Sequence, residues 1–162
     1  QHQLEMPAVA EPESLPSWEE LLAEMGTQPR GADHVSALEV RLPADPSGPA
    51  GRYVWMRPRG GLPDDPRLHV GITVFASDRT LAGTAVRPMG YERGEVSVTS
   101  LDHVLWLHRE ARFDDWILYV SNSPVGHAAR GLALGQMYTR EGVHFASVAQ
   151  EGLIRTPRVP AA

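Results

Sequence analysis

The sequence predicts an α+β domain in which an antiparallel sheet curls around one long central helix. Three observations predict it. Two short alternating segments open the ordered part, a long apolar helical stretch follows over 67–86, and strand-like segments joined by short turns fill the remainder. No internal repeat runs along the chain.

The first 16 residues are rich in Pro, Ala and Glu, the composition of a linker. Ser17-Trp18-Glu19-Glu20 then makes a capping box ahead of a helix over 18–25. Gly26 stops that helix, and Pro29, Arg30 and Gly31 return the chain to a loop. Residues 1–32 are therefore read as a linker with a short helix, 33–156 as the folded domain and 157–162 as a frayed tail. Leu38, Val40 and Leu42 alternate with Glu39 and Arg41, the period of a half-buried strand. A turn over 46–51 leads to a second strand over 53–56. The turn Arg59-Gly60-Gly61-Leu62-Pro63 then leads to Asp64-Asp65-Pro66, an N-cap with Pro at the first helical position.

On a helical projection of 67–86, Leu68, Val70, Ile72, Val74, Phe75, Leu81, Ala82 and Val86 cover most of the circumference. The one polar arc carries His69, Thr73, Ser77, Thr80 and Thr84, while Asp78 and Arg79 fall outside it. A helix this apolar is expected to be enclosed. The alternative is a break at Ser77, with Asp78 capping a second helix. Beyond Pro88 and Gly90, strands are predicted over 96–109, 116–121, 130–139 and 145–155, with Glu141-Gly142 marking a hairpin.

The formal net charge is -5 and basic residues are scattered, so no nucleic-acid or membrane patch is expected. The chain has no cysteine, which excludes disulfides, thiolate nucleophiles and thiolate metal sites. No apolar run reaches the ~18 residues of a transmembrane helix. Gln1-His2-Gln3 has neither a basic nor an apolar leader region and lacks an initiator methionine, so the start is read as that of a fragment or processed chain. Pro160-Ala161-Ala162 is not a peroxisomal address, and the cytoplasm is the expected location.

Nucleophile-elbow, phosphate-loop and zinc-helix motifs are missing. Asp102, His103 and His108 are close in sequence, but on one strand Asp102 and His108 share a face while His103 points to the other, so no metal site is expected. Three polar residues stand out on apolar faces: Asp78 on the helix, Ser100 beside Val96, Val98, Val104 and Trp106, and Gln150 beside Ala146, Val148 and Ile154. Burying them separately is costly, a lone carboxylate most of all. If they meet, a carboxylate, a hydroxyl and a carboxamide can hold a water whose proton the carboxylate takes. A buried hydrogen-bond network without catalysis is the competing interpretation, and Asp102 is the rival carboxylate.

Several segments resemble the acyl-CoA thioesterase II family, and in order. They are Leu62-Pro63-Asp64-Asp65-Pro66-Arg67-Leu68-His69, Ala76-Ser77-Asp78, Ser100-Leu101-Asp102-His103, Trp106, His108-Arg109 and Asp115-Trp116-Ile117-Leu118-Tyr119. Ala129-Arg130-Gly131, Tyr138-Thr139-Arg140-Glu141-Gly142 and, most specific, Ala146-Ser147-Val148-Ala149-Gln150-Glu151-Gly152-Leu153-Ile154-Arg155 follow. The resemblance spans nearly all of the chain after the first dozen residues.

It implies a hotdog fold and a chain corresponding to the second half of a double-hotdog protein. It implies hydrolysis of fatty acyl-CoA to free fatty acid and coenzyme A without a cofactor. The family's catalytic Asp, Thr or Ser, and Gln map onto Asp78, Ser100 and Gln150. Water activated by Asp78 attacks the thioester, and backbone N–H groups stabilise the oxyanion. Glu110 stands where the family usually has Pro, and Ser123-Pro124-Val125-Gly126-His127-Ala128 is bulkier than the family's small-residue run. A lone hotdog domain exposes an apolar edge and face, so the expected partner is another hotdog domain, from a second copy or from a separate N-terminal half. The alternatives are a non-catalytic acyl-CoA-binding or assembly module and, more remotely, an enoyl-CoA hydratase. The latter chemistry pairs Asp with His, and no His follows Asp78 at short spacing.

Overall fold

The computed structural model describes residues 2–26, 37–43, 51–91, 95–110 and 112–156. Among these, α1 (Trp18–Glu24) is followed by β1 (Leu38–Arg41), β2 (Gly51–Pro58) and α2 (Pro66–Thr84). Then come β3 (Ser97–Ser100), β4 (Val104–Leu107), β5 (Ile117–His127), β6 (Arg130–Thr139) and β7 (His144–Arg155). The strands pair antiparallel in one sheet ordered β1-β2-β5-β6-β7, and β3 and β4 both pair with the far side of β7. The curled sheet wraps α2, which contacts β2, β3, β5, β6 and β7. The predicted loop at 29–31, most of the turn at 46–51 and the tail at 157–162 lie outside the described residues. No helix among the described residues is long and apolar enough to cross a membrane.

Both helices start where their caps place them. Ser17 Oγ accepts from Glu20 N at 3.2 Å and Glu20 Oε2 accepts from Ser17 N at 2.6 Å, closing the capping box. Asp65 accepts from Arg67 N at 2.9 Å and Pro66 fills the first helical position. α2 runs unbroken through Ser77, which overturns the alternative of a second helix capped by Asp78. The Ser77 hydroxyl donates back to Val74 O at 2.8 Å inside the same helix, and no Gly or Pro interrupts residues 72–82.

Contrary to what its composition predicts, α2 is not enclosed on all sides, and it is the polar arc that faces the sheet. His69, Thr73, Ala76, Ser77, Leu81 and Thr84 are the buried stripe, and Leu68, Val70, Val74 and Phe75 are 37–47 % exposed. The polar arc can be buried because most of its hydroxyls are satisfied locally, Thr80 Oγ1 being the buried exception among the described residues. Thr73 donates to His69 O at 2.7 Å, Thr84 Oγ1 donates to Thr80 O at 3.2 Å, and His69 Nδ1 accepts from Phe113 N at 3.1 Å. Small side chains also bring the helix down into the trough of the sheet, over Val54, Met56, Ile117, Tyr119, Ala133, Met137 and Val148.

The outer face of the sheet is covered by the N-terminal segment. Met6, Val9 and Leu15 pack on Trp55, Trp116, Leu118 and Tyr138, and Trp55 Nε1 donates to Ala10 O at 3.0 Å. Arg140 reaches both Glu11 and Glu13 at 2.8–2.9 Å. The segment has the composition of a linker, yet in the fold its few apolar residues are spent on this cluster.

Candidate active site

A break in an edge strand builds the site. The sequence predicts one strand over 96–109, whereas the chain forms β3 and β4 with an interruption at 101–103, beside Gln150 and Glu151 of β7. Leu101 N donates to Glu151 O at 2.8 Å, and the Asp102 carboxylate then accepts from Glu151 N at 2.7 Å. A side-chain oxygen thus stands in for a ladder carbonyl, so strand alternation is lost through this stretch. His103 is directed at α2, where its Nε2 lies 2.9 Å from Ser77 Oγ.

The three candidate residues meet at this break. Gln150, buried in the middle of β7, donates from Nε2 to Asp78 Oδ1 at 2.6 Å and to Ser100 Oγ at 2.7 Å. The amide orientation follows from the chemistry, because a carboxylate can only accept. Both Nε2 protons are used, and Gln150 Oε1 is buried with no partner among the described residues. Asp78 comes from mid-α2, Ser100 from the end of β3 and Gln150 from β7, so residues 72 positions apart are joined by one side chain.

Asp78 departs from expectation in one respect. It does lie on the apolar side of α2, but that side faces outward, and its side chain is 60 % exposed. Ser100 is exposed as well, and only Gln150 of the three is buried. The reason is the orientation of the helix: the hydroxyl stripe takes the place against the sheet.

Asp102 is bound to Glu151 N and takes no part in the trio. His108 Nε2 sits 2.8 Å from Ser147 Oγ, elsewhere on the β4–β7 pair. Asp102, His103 and His108 therefore go to three places, and among the described residues no group of three His, Asp or Glu side chains is arranged to hold a metal. Two contributors were not anticipated, Ser77 and His103. His103 Nδ1 lies 3.7 Å from Asp78 Oδ1, a histidine near the carboxylate that sequence spacing did not offer. The available signal was Asp102 itself, a residue type disfavoured in strand interiors. Beneath them Tyr119 donates to Ser77 O at 2.9 Å. Burial, and then the negative charge of Asp78, hold its phenol well above the usual range, so it remains a donor.

A family model described as acyl-CoA thioesterase matches residues 34–153. The chain belongs to the acyl-CoA thioesterase family. It is 31% identical over 173 residues to human acyl-coenzyme A thioesterase 8, covering 96% of this chain and 54% of that protein. It is 33% identical over 109 residues to acyl-CoA thioesterase 2 of Haemophilus influenzae, covering 66% of this chain and 38% of that one. The crystal structure of an acyl-CoA thioesterase II, TesB2, from Mycobacterium marinum superposes with a TM-score of 0.78 at 35% identity, over 98% of this chain and 58% of that one. A protein of Alicyclobacillus acidocaldarius described as having a hot dog fold aligns with a TM-score of 0.73 at 16% identity, a likeness of fold alone. The sheet wrapped around α2 is thus a hotdog fold. This thioesterase-family chain spans about half the length of the curated relatives it matches.

Proposed function

We propose that the chain carries the hydrolytic centre of an acyl-CoA thioesterase, cleaving fatty acyl-CoA to free fatty acid and coenzyme A with Asp78 as the base for water. The observation that carries this is the Gln150 amide joined at once to Asp78 and Ser100. With Oδ1 engaged by Gln150, Asp78 Oδ2 remains to accept a proton from water. Ser100 Oγ accepts from Gln150, which leaves its own proton to donate to the water or the thioester carbonyl. Gln150 Oε1 is a buried acceptor beside both. The water O–H bond breaks toward Asp78, its oxygen adds to the carbonyl carbon, and collapse of that adduct breaks the C–S bond. The proton held on the enzyme then neutralises the thiolate. Ser77 is no nucleophile, because its proton is committed to Val74 O.

Another hotdog domain completes the site. Leu68, Val74 and Phe75 on α2 are 44–47 % exposed, the last two within about one turn of Asp78, while Val104, Trp106 and Leu107 are 41–51 % exposed on β4. β4 pairs only with β7 among the described residues, which leaves an open sheet edge. A partner domain on this side would cover the apolar stripe and remove bulk water from Asp78.

Thiol release from medium- and long-chain acyl-CoA tests the proposal. Wild type releases coenzyme A, and Asp78→Asn, still folded, loses roughly 10²–10⁴-fold, the usual scale of a general base. If wild type is silent, the assay is repeated with an N-terminal half from a relative supplied. Silence in both cases overturns hydrolysis and favours a module that binds acyl-CoA or assembles with other hotdog domains.

A further inference from the structure

Resting on that functional proposal, we propose that His103 is a positioning residue that acts through Asp78: its Nδ1 takes over the proton that Asp78 removes from water. The proton arrangement around the ring follows from chemistry alone. Ser77 Oγ lies 2.8 Å from Val74 O, and a carbonyl can only accept, so the single hydroxyl proton of Ser77 is spent there. Ser77 Oγ, 2.9 Å from His103 Nε2, must then be the acceptor of that contact, and Nε2 carries a hydrogen. A neutral imidazole has only one N–H. Nδ1 is consequently the bare nitrogen, and it is buried, has no hydrogen-bond partner among the described residues and lies 3.7 Å from Asp78 Oδ1.

A bare ring nitrogen facing a carboxylate is an unfavourable resting contact. It becomes favourable once a proton lies between them. A proton taken up at Asp78 Oδ2 passes to Nδ1 when rotation of the carboxylate exchanges its two oxygens, Gln150 then donating to the one left bare, and the carboxylate shifts by less than 1 Å from 3.7 Å. The balance is complete. Water loses a proton to Asp78, Asp78 passes it to His103, and the imidazolium returns it through Asp78 to the departing thiolate.

The neighbouring groups leave His103 to this task. From α2 it faces Ser77 and Asp78. On its own segment, Asp102 is held by Glu151 N, and on β7 the Glu151 side chain is directed to Arg130 at 3.6 Å while Gln150 is uncharged. From β5, Tyr119 is a neutral donor to Ser77 O. The interruption of the strand at 101–103 thus does two things at once: it frees the space around Gln150 and it delivers a base to the back of Asp78.

The test combines kinetics with nitrogen NMR on the full chain, supplied with a partner half if activity requires one. In wild type the pH profile of kcat should carry an acid limb that depends on His103. In His103→Asn, which places an amide near Nδ1 but cannot carry a proton, the limb should move down by one unit or more and the plateau should fall about 10–100-fold, with KM changed less than threefold. A loss of rate with the limb unmoved would reduce His103 to a structural role. Independently of activity, the ¹⁵N shifts of His103 in ¹⁵N-histidine-labelled protein report its tautomer. The Nε2–H form is expected at high pH. A neutral Nδ1–H form would overturn the proposal even if hydrolysis were established, whereas absent thiol release with the Nε2–H form present would count against hydrolysis and not against the proton arrangement.

Discussion

Gly135 sits on β6 directly under the Tyr119 ring, and Gly135→Ala tests how the floor of the site is packed. A methyl there would lie 2.4 Å from Cε2, 2.7 Å from the hydroxyl oxygen and 2.9 Å from Cζ of Tyr119. Ordinary contact between such atoms begins near 3.4 Å, so the ring must move by about 1 Å. Tyr119 is fully buried and its hydroxyl is 2.9 Å from Ser77 O, so a displacement of that size lengthens or breaks the hydrogen bond. Overpacking of a filled core costs about 1–3 kcal/mol, and a lost buried hydrogen bond about 1–1.5 kcal/mol. The sum, roughly 2–4 kcal/mol, would lower a urea midpoint by about 1–2 M at the slope of a domain of this size. Fluorescence of the buried Trp55 and Trp116 follows the transition. Tyr119→Phe alone should cost only about 1 kcal/mol, and the double variant should cost less than the sum, because both single changes remove the same hydrogen bond. A Gly135→Ala midpoint within experimental error of wild type would refute this account of the packing beneath Ser77.

Three further outcomes are expected. Ala128 and Ala129 turn the β5–β6 hairpin at φ of 50° and 61°, a conformation strained for residues with a Cβ, so Ala129→Gly should stabilise by about 0.5–1.5 kcal/mol, read from a raised urea midpoint. Deletion of residues 2–16 uncovers Trp55, Trp116, Leu118 and Tyr138, and should lower the melting temperature and raise binding of a hydrophobic dye; unchanged values would show that the segment is dispensable. Glu39 is pushed upward by burial, but hydrogen bonds from Arg41 and Arg57 outweigh this and hold it below its ordinary 4.5, so its stabilisation is complete above that value and is lost as pH falls through the folded one. Glu39→Gln should therefore be less stable at pH 7 and show a shallower loss below about pH 4.5 than wild type, by pH-dependent melting.

The elements that were legible in the sequence are those with strictly local causes. The Ser17 box, the Asp65-Pro66 helix start and β6 over Arg130–Thr139 each depend on residues within one turn or one strand. Gln150 could be singled out because β7 keeps its alternation through residue 155. What the hydropathy pattern did not carry was which arc of α2 faces the sheet. The His69–Thr84 arc is polar by composition, but Thr73, Ser77 and Thr84 bond back within their own helix, and so it can be buried even though Thr80 Oγ1 finds no partner among the described residues. His103 could not be placed from the sequence, because a regular strand assigns it to a face that the 101–103 interruption abolishes.

The same orientation explains why the carboxylate proposed as the base can stand in the middle of an apolar stripe. Had Leu68, Val74 and Phe75 faced the sheet, Asp78 would have gone with them, into a core of Met56, Tyr119 and Met137 where a lone charge costs several kcal/mol. With the hydroxyl stripe inward, Asp78 stays in water in the isolated chain, anchored by one charge-assisted hydrogen bond from Gln150. Folding of this domain therefore need not oppose the burial of the base. In the proposed assembly, desolvation is deferred to the step that covers the stripe, and there the apolar contacts of Leu68, Val74 and Phe75 offset it. On this basis assembly and base strength are coupled: changing Phe75 to a polar residue should weaken association and hydrolysis together, while leaving the unfolding midpoint of the separate domain nearly unchanged.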